Sequence, residues 1–520
     1  MENENAQAPA SAPAEAVSES PASSALEAML TAEKKKEWID RVAEKTPTAG
    51  RAALTPLLDE FLDQLKERPG LVSADALDTI QGFIADIDAR LARQVNAILH
   101  NPKFQQLEAA WRGLEHMVKR TNTTGGKIQI KVMNVRKTEL FAECKKVNKA
   151  AVPEKTTLFD RVYTAEFNTA GGWPFGLLVG DFQFDHSPAD VEILRSMARL
   201  AAASHAPFLT GVSPRLFGLD SWLQVKGGID FGKKLTGEDY NAFNDLRNSE
   251  DASYVGLSMP RFLARAPYGP NSDPVEGYHF EEQIADQEDP EKEKSEREHD
   301  RFCWANAAYA MAANITRAFH KYRWCTAIRG FESGGAVENL PLYTFKTEAG
   351  SVAAKCATEV YLSDDKDLDL SGLGLLPLVM WKRSQTAAFL SGQSMQRPKE
   401  YSNSKDATAN ARLKARLPYL FAASRFAHYL KVMMRQRIGR AMSGDQIQQE
   451  LNNWIVSYVS GENATEMEKR SQPLAEARVV VKEDPKDPGY YHADIYLRPH
   501  FQLEGLSTAL KLVARMPTQK

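Results

Sequence analysis

Cysteine is scarce in this chain. The four residues, Cys144, Cys303, Cys325 and Cys356, are spread through 520 positions, with no C-x-x-C pair and no histidine at metal-ligand spacing. That excludes a disulfide framework and a recognisable zinc site, and it suits structural thiols in a reducing compartment. An excess of one charge is also missing. Lys+Arg number 65 against 68 Asp+Glu, a formal charge of -3, so no basic field exists to collect nucleic acid. No run approaches the roughly 18 consecutive apolar residues of a membrane span, and the N-terminus lacks the basic and apolar regions of a secretory signal. The expectation is a soluble, cytoplasmic protein that does not insert into a membrane.

Complete catalytic motifs are lacking as well, which points away from an enzyme and from any cofactor. Gly372-Leu373-Gly374 opens like a dinucleotide fingerprint but runs into Pro377, where a third small residue opening a helix is required; it reads as a loop entering a strand. Glu332-Ser333-Gly334-Gly335 lacks the lysine of a phosphate-binding loop and reads as a tight turn. Asp364, Asp365, Asp367 and Asp369 lack the glycine and terminal glutamate of a calcium loop and read as a solvated acidic turn. Asp185 and His186 adjoin a strand end, but no nucleophile elbow accompanies them, and a structural role is expected.

What the chain does have is alternation of helix and strand. Residues 1–48 form a leader poor in large apolar groups, with a short helix expected near 24–30. Leu26, Met29 and Leu30 share one face of that helix, which either docks on the chain's own body or fills a groove on another protein. Residues 49–122 read as helical. Leu77, Ile80, Ile84, Ile87, Leu91, Val95 and Ile98 recur at steps of three and four up to Asn101-Pro102, and a second helix carries Phe104, Leu107, Trp111, Leu114 and Val118. Trp111 is expected in the core. Ile128, Ile130 and Val132 alternate as a strand.

A central α/β region is expected over residues 123–390. The strand run 175–182, the helix 191–204 and the strand run 207–212 make a βαβ unit, which favours a partly parallel sheet. Residues 281–300 read as a solvated charged loop before a helix at 301–323. Residues 376–389 read as a strand followed by a helix start, and 413–437 as one helix. The fold class is therefore α/β, with an α+β mixture.

Residues 391–520 end in strands. The run 477–482, containing Val479, Val480 and Val481, turns at Asp484-Pro485-Lys486-Asp487-Pro488-Gly489 into a return strand over 490–498 that contains Ile495 and Leu497. A third alternating segment follows with Leu506, Leu510 and Leu512 on one face. Small sheets are marginal alone, so this one either packs on the chain's own earlier strands or accepts strands from another molecule.

Several long segments carry a specific resemblance. They are Phe104-Gln105-Gln106-Leu107-Glu108-Ala109-Ala110-Trp111-Arg112-Gly113-Leu114, the stretches 257–269, 324–330, 334–341, 393–401 and 407–413, and Leu497-Arg498-Pro499-His500-Phe501-Gln502-Leu503-Glu504-Gly505-Leu506. In this order they resemble the large sheath subunit of type VI secretion systems, the TssC (VipB) family, over residues 75–516. The resemblance implies a sheath-type core and a structural, non-enzymatic role. It implies co-polymerisation with a small subunit, TssB (VipA), into a helical tube around Hcp, on an envelope-anchored baseplate, with contraction driving effector delivery. It implies that Val479, Val480, Val481, Ile495, Leu497, Leu506, Leu510 and Leu512 belong to strands shared between subunits. It also implies that Leu26, Met29 and Leu30 form the helix bound by a ClpV-like AAA+ unfoldase. Arg329, Arg412 and Arg416 are open to pairing within the chain or across subunits. The competing readings are a sheath protein of a phage tail or extracellular contractile particle, and an α/β enzyme.

Overall fold

A computed structural model describes residues 56–57, 60, 76–149, 156–225, 229–270, 272–284, 294–346, 352–382, 384–437, 443–461, 463–483 and 491–500. Leu26, Met29, Leu30, Leu506, Leu510 and Leu512 lie outside these. The chain divides into two compact units, residues 1–99 with 274–282 and residues 100–273 with 283–520.

In the first unit, α1 (Ala76–Leu99) is the long helix that the three-and-four periodicity requires. Phe83 and Leu99 are buried, whereas Ile84, Ile87, Leu91 and Ile98 are exposed.

The second unit begins with α2 (Pro102–Arg120). Asn101 accepts a bond from the Lys103 amide, and the proline stands at the first helical position, where its missing N–H costs nothing. Helix α3 (Lys137–Lys149) follows, then strand β1 (Leu178–Phe184), α4 (Pro188–Ser204) and β2 (Phe208–Val212). This is the expected βαβ unit, and β1 and β2 are parallel. Helix α5 (Asn241–Arg247) leads to β3 (Val255–Met259) and β4 (Phe262–Leu263). Next come α6 (Lys294–Arg301), β5 (Trp304–Ala305), α7 (Ala307–Tyr322), β6 (Ala336–Val337), β7 (Thr344–Lys346), β8 (Val352–Ala354) and α8 (Asp364–Gly372). Strands β9 (Leu375–Met380) and β10 (Ala387–Phe389) close the central region.

Six strands form one sheet in the order β1-β2-β3-β9-β10-β6, with β1, β2, β3 and β9 parallel and β10 antiparallel to both neighbours. Side chains alternate between two cores, as a strand covered on both faces requires. Phe208 and Leu375 enter the core built by α4, while Leu209 and Leu376 enter the one built by α7.

Several sequence expectations are corrected. Residues 127–136 form no strand: Ile130 packs on Met117 and Tyr309, and Val132 points to solvent. The segment 294–301 is a helix rather than a loop, and β5 separates it from α7. Residues 375–389 are a strand hairpin, not strand then helix. The helix expected at 413–437 is two: α9 (Lys405–Lys414) ends, and α10 (Leu417–Arg437) starts afresh with Pro418 in its first turn. The acidic run at 364–369 lies in α8, and Asp367 is buried.

Helices α11 (Gly444–Val456) and α12 (Glu466–Ser471), each opened by a capping box, precede β11 (Leu474–Glu483) and β12 (Tyr491–Pro499). The last two strands form a separate antiparallel hairpin.

Candidate assembly interface

The hairpin rests on its own small core. Trp324, Phe426, Leu430, Ile447, Leu451, Ile455, Leu474 and Val479 are buried together, and Ala477, Val481, Ala493 and Leu497 pack against them. Trp324 stacks on Phe426 with ring centroids 4.4 Å apart. Ala477, Val479, Val481, Ala493 and Leu497 thus face the helices, with Leu474 joining them before an irregularity in the register at Glu476, while Glu476, Arg478, Lys482, Asp494, Tyr496 and Arg498 are exposed. Val479 lies opposite Ile495, Val480 opposite Asp494, Val481 opposite Ala493 and Leu497 opposite Ala477. On the outer face Lys482 pairs with Asp494 at 2.7 Å and Arg498 with Glu476 at 2.9 Å. Both pairs are exposed and contribute little to stability. Tyr496, on the same face, is 62% exposed.

The outer edge of β11 is bonded at Leu474, at Val479 and at the Val481 amide. At one end Ser460 donates its amide to the Leu474 carbonyl, and the Leu474 amide donates to Tyr458. Further along, Asn452 accepts from the Val479 amide at 2.9 Å and donates to the Val479 carbonyl at 2.7 Å; Gln448 accepts from the Val481 amide at 2.9 Å. Sequence reasoning missed both amides, because a polar residue beside the Ile447, Leu451 and Ile455 stripe reads as solvated helix surface.

A second surface lies on α2. Gly113 and Met117 are buried, and an added Cβ at Gly113 meets the Tyr309 ring at 2.4 Å, so α2 lies close against α7. Glu108 anchors the helix from the side, accepting from Arg265 at 2.6 Å and Arg112 at 2.7 Å. Burial raises the Glu108 pKa, but the two guanidinium groups outweigh it and hold the carboxyl below its usual range. The opposite face carries Phe104, Leu107, Trp111 and Val118 in a stripe, with Leu107 56% and Trp111 62% exposed. Trp111 is therefore not a core residue. Apolar groups of this size in a row mark a contact surface.

The other resemblance segments are largely tied up inside the chain. Arg261 donates from both its backbone amide and its guanidinium to Glu359, which also meets His299 at 3.2 Å. Burial alone would raise the Glu359 pKa; the Arg261 charge and the His299 contact bring it down to about 2. Arg412 pairs with Glu400 at 3.0 Å within the chain. Arg329 is buried, and burial with the neighbouring Arg329 and Arg412 charges lowers Arg416 to about 10. Asp185 accepts from the Ser187 amide and Asp190 from the Asp185 amide, while His186 stacks on Tyr240. These are turn-holding contacts. Gly374, at φ 83°, lies in the loop before β9, and Gly334, at φ 100°, lies in a turn whose carbonyl accepts from Arg317.

The second unit thus combines helices on both faces of a mostly parallel sheet, a strand hairpin on its own helical base and an exposed apolar helix stripe. Comparison with known proteins defines its class as tail-sheath proteins. The VipB family model (EvpB/VC_A0108, tail sheath N-terminal domain) matches residues 81–396, and its companion, the tail sheath gpW/gp25-like domain, matches residues 406–516. The chain is 46% identical over 472 residues to the "Type VI secretion system sheath protein TssC1" of Pseudomonas aeruginosa, covering 90% of this chain and 92% of that protein. It belongs to the VipB (TssC) family, and it is a type VI secretion sheath subunit. Solved structures of the anti-feeding prophage baseplate and of its contracted helical sheath align at 10% identity with TM-scores of 0.31 and 0.27. The first covers 66% of this chain and 69% of that one, the second 64% and 68%. No helix among the described residues is long and apolar enough to cross a membrane.

Proposed function

We propose that this chain is the large subunit of a contractile sheath in the bacterial cytoplasm. It co-polymerises with the small subunit TssB (VipA) into a helical tube around Hcp, on a baseplate anchored at the envelope. It catalyses no reaction. Contraction of the lattice drives the inner tube and its effectors outward. The observation that carries this reading is the terminal hairpin, which ends the described chain on a strand pair standing apart from the main sheet, with a further alternating segment, residues 506–512, in the sequence after it. Strands donated between subunits join such a hairpin by main-chain bonds of about 1 kcal/mol each, enough to keep a lattice connected while subunits rotate.

The apolar stripe of α2 supports a second contact, with the small subunit. Phe104, Leu107, Trp111 and Val118 follow the spacing three, four, seven, which suits a partner helix laid along α2. The leader helix with Leu26, Met29 and Leu30 is the proposed handle for a ClpV-like unfoldase after contraction. Deleting residues 24–30 is expected to leave tubules intact and abolish capture by the unfoldase; capture at the wild-type level removes that role. For the main reading, truncation after His500 is expected to abolish tubules on co-expression with the small subunit, while the chain remains folded. Normal tubules from that truncation refute the strand-sharing role.

A further inference from the structure

Trp381 follows β9 directly, at the tip of the β9-β10 hairpin, and it is 56% exposed. This indole is held in place. Its amide donates to the Thr386 carbonyl at 3.0 Å, its carbonyl accepts from the Ser384 amide at 3.3 Å, and its ring meets Phe331 in a T-shaped contact with centroids 4.3 Å apart. Lys382, the next residue of the tip, is exposed as well. A tryptophan fixed before binding loses little freedom on binding, which is the character of an interface anchor.

The other end of the same sheet carries a cleft of about 220 Å³. Helix α4 contributes Arg195 and Arg199, one helical turn apart. Helix α5 and the turn after it contribute Asp245, Leu246, Ser249 and Asp251. Leu246 is buried, while Asp245 is exposed and Ser249 and Asp251 are half-buried. Among the described residues, neither Asp245 nor Asp251 has a salt-bridge partner. The cleft therefore offers cations from one helix and unpaired carboxylates from the other.

We propose that the Trp381-Lys382 tip of one copy of this chain seats in the α4-α5 cleft of the next copy. Size and charge both fit. A cavity of roughly 150 Å³ holds a benzene ring, so the larger space here takes an indole. The ring presents its face to the guanidinium groups of Arg195 and Arg199, and the Lys382 ammonium meets the carboxylates of Asp245 and Asp251. One copy cannot satisfy itself. Strands β3 and β9 are parallel with Met259 opposite Pro377, so the start of β3, near Asp251, and Trp381 stand about 26 Å apart along the strands. A tip and a cleft at opposite ends of one sheet make a head-to-tail contact, the kind that repeats into an open helix when its rotation does not close a ring. This rests on the polymer reading above and adds a contact that is independent of the terminal strands.

Photocrosslinking tests the occupant. Trp381 is replaced by p-benzoylphenylalanine in the full-length chain, and tubules are formed with the small subunit from a mixture of ordinary and isotope-labelled copies. Crosslinks to residues 195–199 or 245–251 of a differently labelled copy are expected in tubules and not in the unassembled complex. Crosslinks from tubules to the small subunit, to another part of a second copy, or only within one copy overturn this contact and leave the polymer standing. A wild-type complex that forms no tubules overturns the polymer reading, and this contact with it.

Variants test the energetics. Trp381→Ala is expected to bind the small subunit as the wild type does and to raise the concentration needed for tubules by about 30-fold or more, as loss of an interface anchor does. Lys382→Asp alone, and Asp245→Lys with Asp251→Lys, are each expected to weaken assembly. All three changes in one chain exchange the charges across the contact and are expected to restore it. Tubules of Trp381→Ala at the wild-type concentration, or no recovery in the triple variant, overturn the proposal.

Discussion

Trp111 and Gly113 stand two residues apart on α2 and face opposite ways, so alanine at each separates assembly from stability. At Gly113 a new Cβ falls 2.4 Å from Cδ2 and 2.6 Å from Cε2 of Tyr309. Tyr309 is itself buried against Met117, Ala312 and Ala313, so the ring has little room to retreat. Overpacking of this kind costs about 1–3 kcal/mol, and Gly113→Ala is expected to lower the melting temperature of the free chain. Trp111, by contrast, is 62% exposed, and removing its side chain costs the free chain no more than about 0.5 kcal/mol. If a partner covers it, the same truncation removes an aromatic anchor worth about 2–4 kcal/mol, or roughly 30- to 900-fold in Kd. Differential scanning calorimetry of the free chain and titration against the purified small subunit read the two effects separately. Trp111→Ala with wild-type affinity, or with a melting point as low as that of Gly113→Ala, refutes the assignment of this stripe to a partner.

Acid stability has two opposing contributors. Glu359 is held at about 2 when folded against an ordinary 4.5, so its contribution is present above pH 4.5 and is lost as pH falls toward 2. Glu359→Gln leaves the partly exposed Arg261 facing a neutral amide, and urea denaturation near neutral pH is expected to show a loss of about 1–3 kcal/mol; an unchanged midpoint refutes the pairing. Asp367 runs the other way: burial, with Asp364 adding, raises it from 3.8 to about 7. Its stabilising contribution is present below pH 3.8 and is lost as pH rises toward 7. Asp367→Asn is expected to raise the melting temperature at pH 8 and to leave it unchanged at pH 4, where an equal gain at both contradicts the buried acid.

Much of the frame was legible because local chemistry dictated it. Asn101-Pro102 separates α1 from α2, and the alternation read at 175–182, 191–204 and 207–212 pointed to the parallel unit that the structure forms over 178–184, 188–204 and 208–212. The errors have a common cause. A period of two suggests extended backbone, but a strand needs a neighbour to pair with: residues 128–136 carry no regular structure, and none of the described strands pairs with them. A period near 3.6 identifies an apolar face without saying what covers it, so Trp111 read as core. Asn452 and Gln448 carry no pattern at all, since their role exists only once α11 lies along β11. The family segments were legible as strings, yet the roles of Arg261, Arg265 and Glu108 as internal anchors depend on contacts 98 and 157 residues apart.

Every role proposed for this chain requires it to polymerise. Co-expression of the full-length chain with its small subunit, followed by sedimentation and electron microscopy, tests it most directly. Pelletable helical tubules that contain both chains and are lost on truncation after His500 are expected. A soluble complex that never polymerises contradicts it.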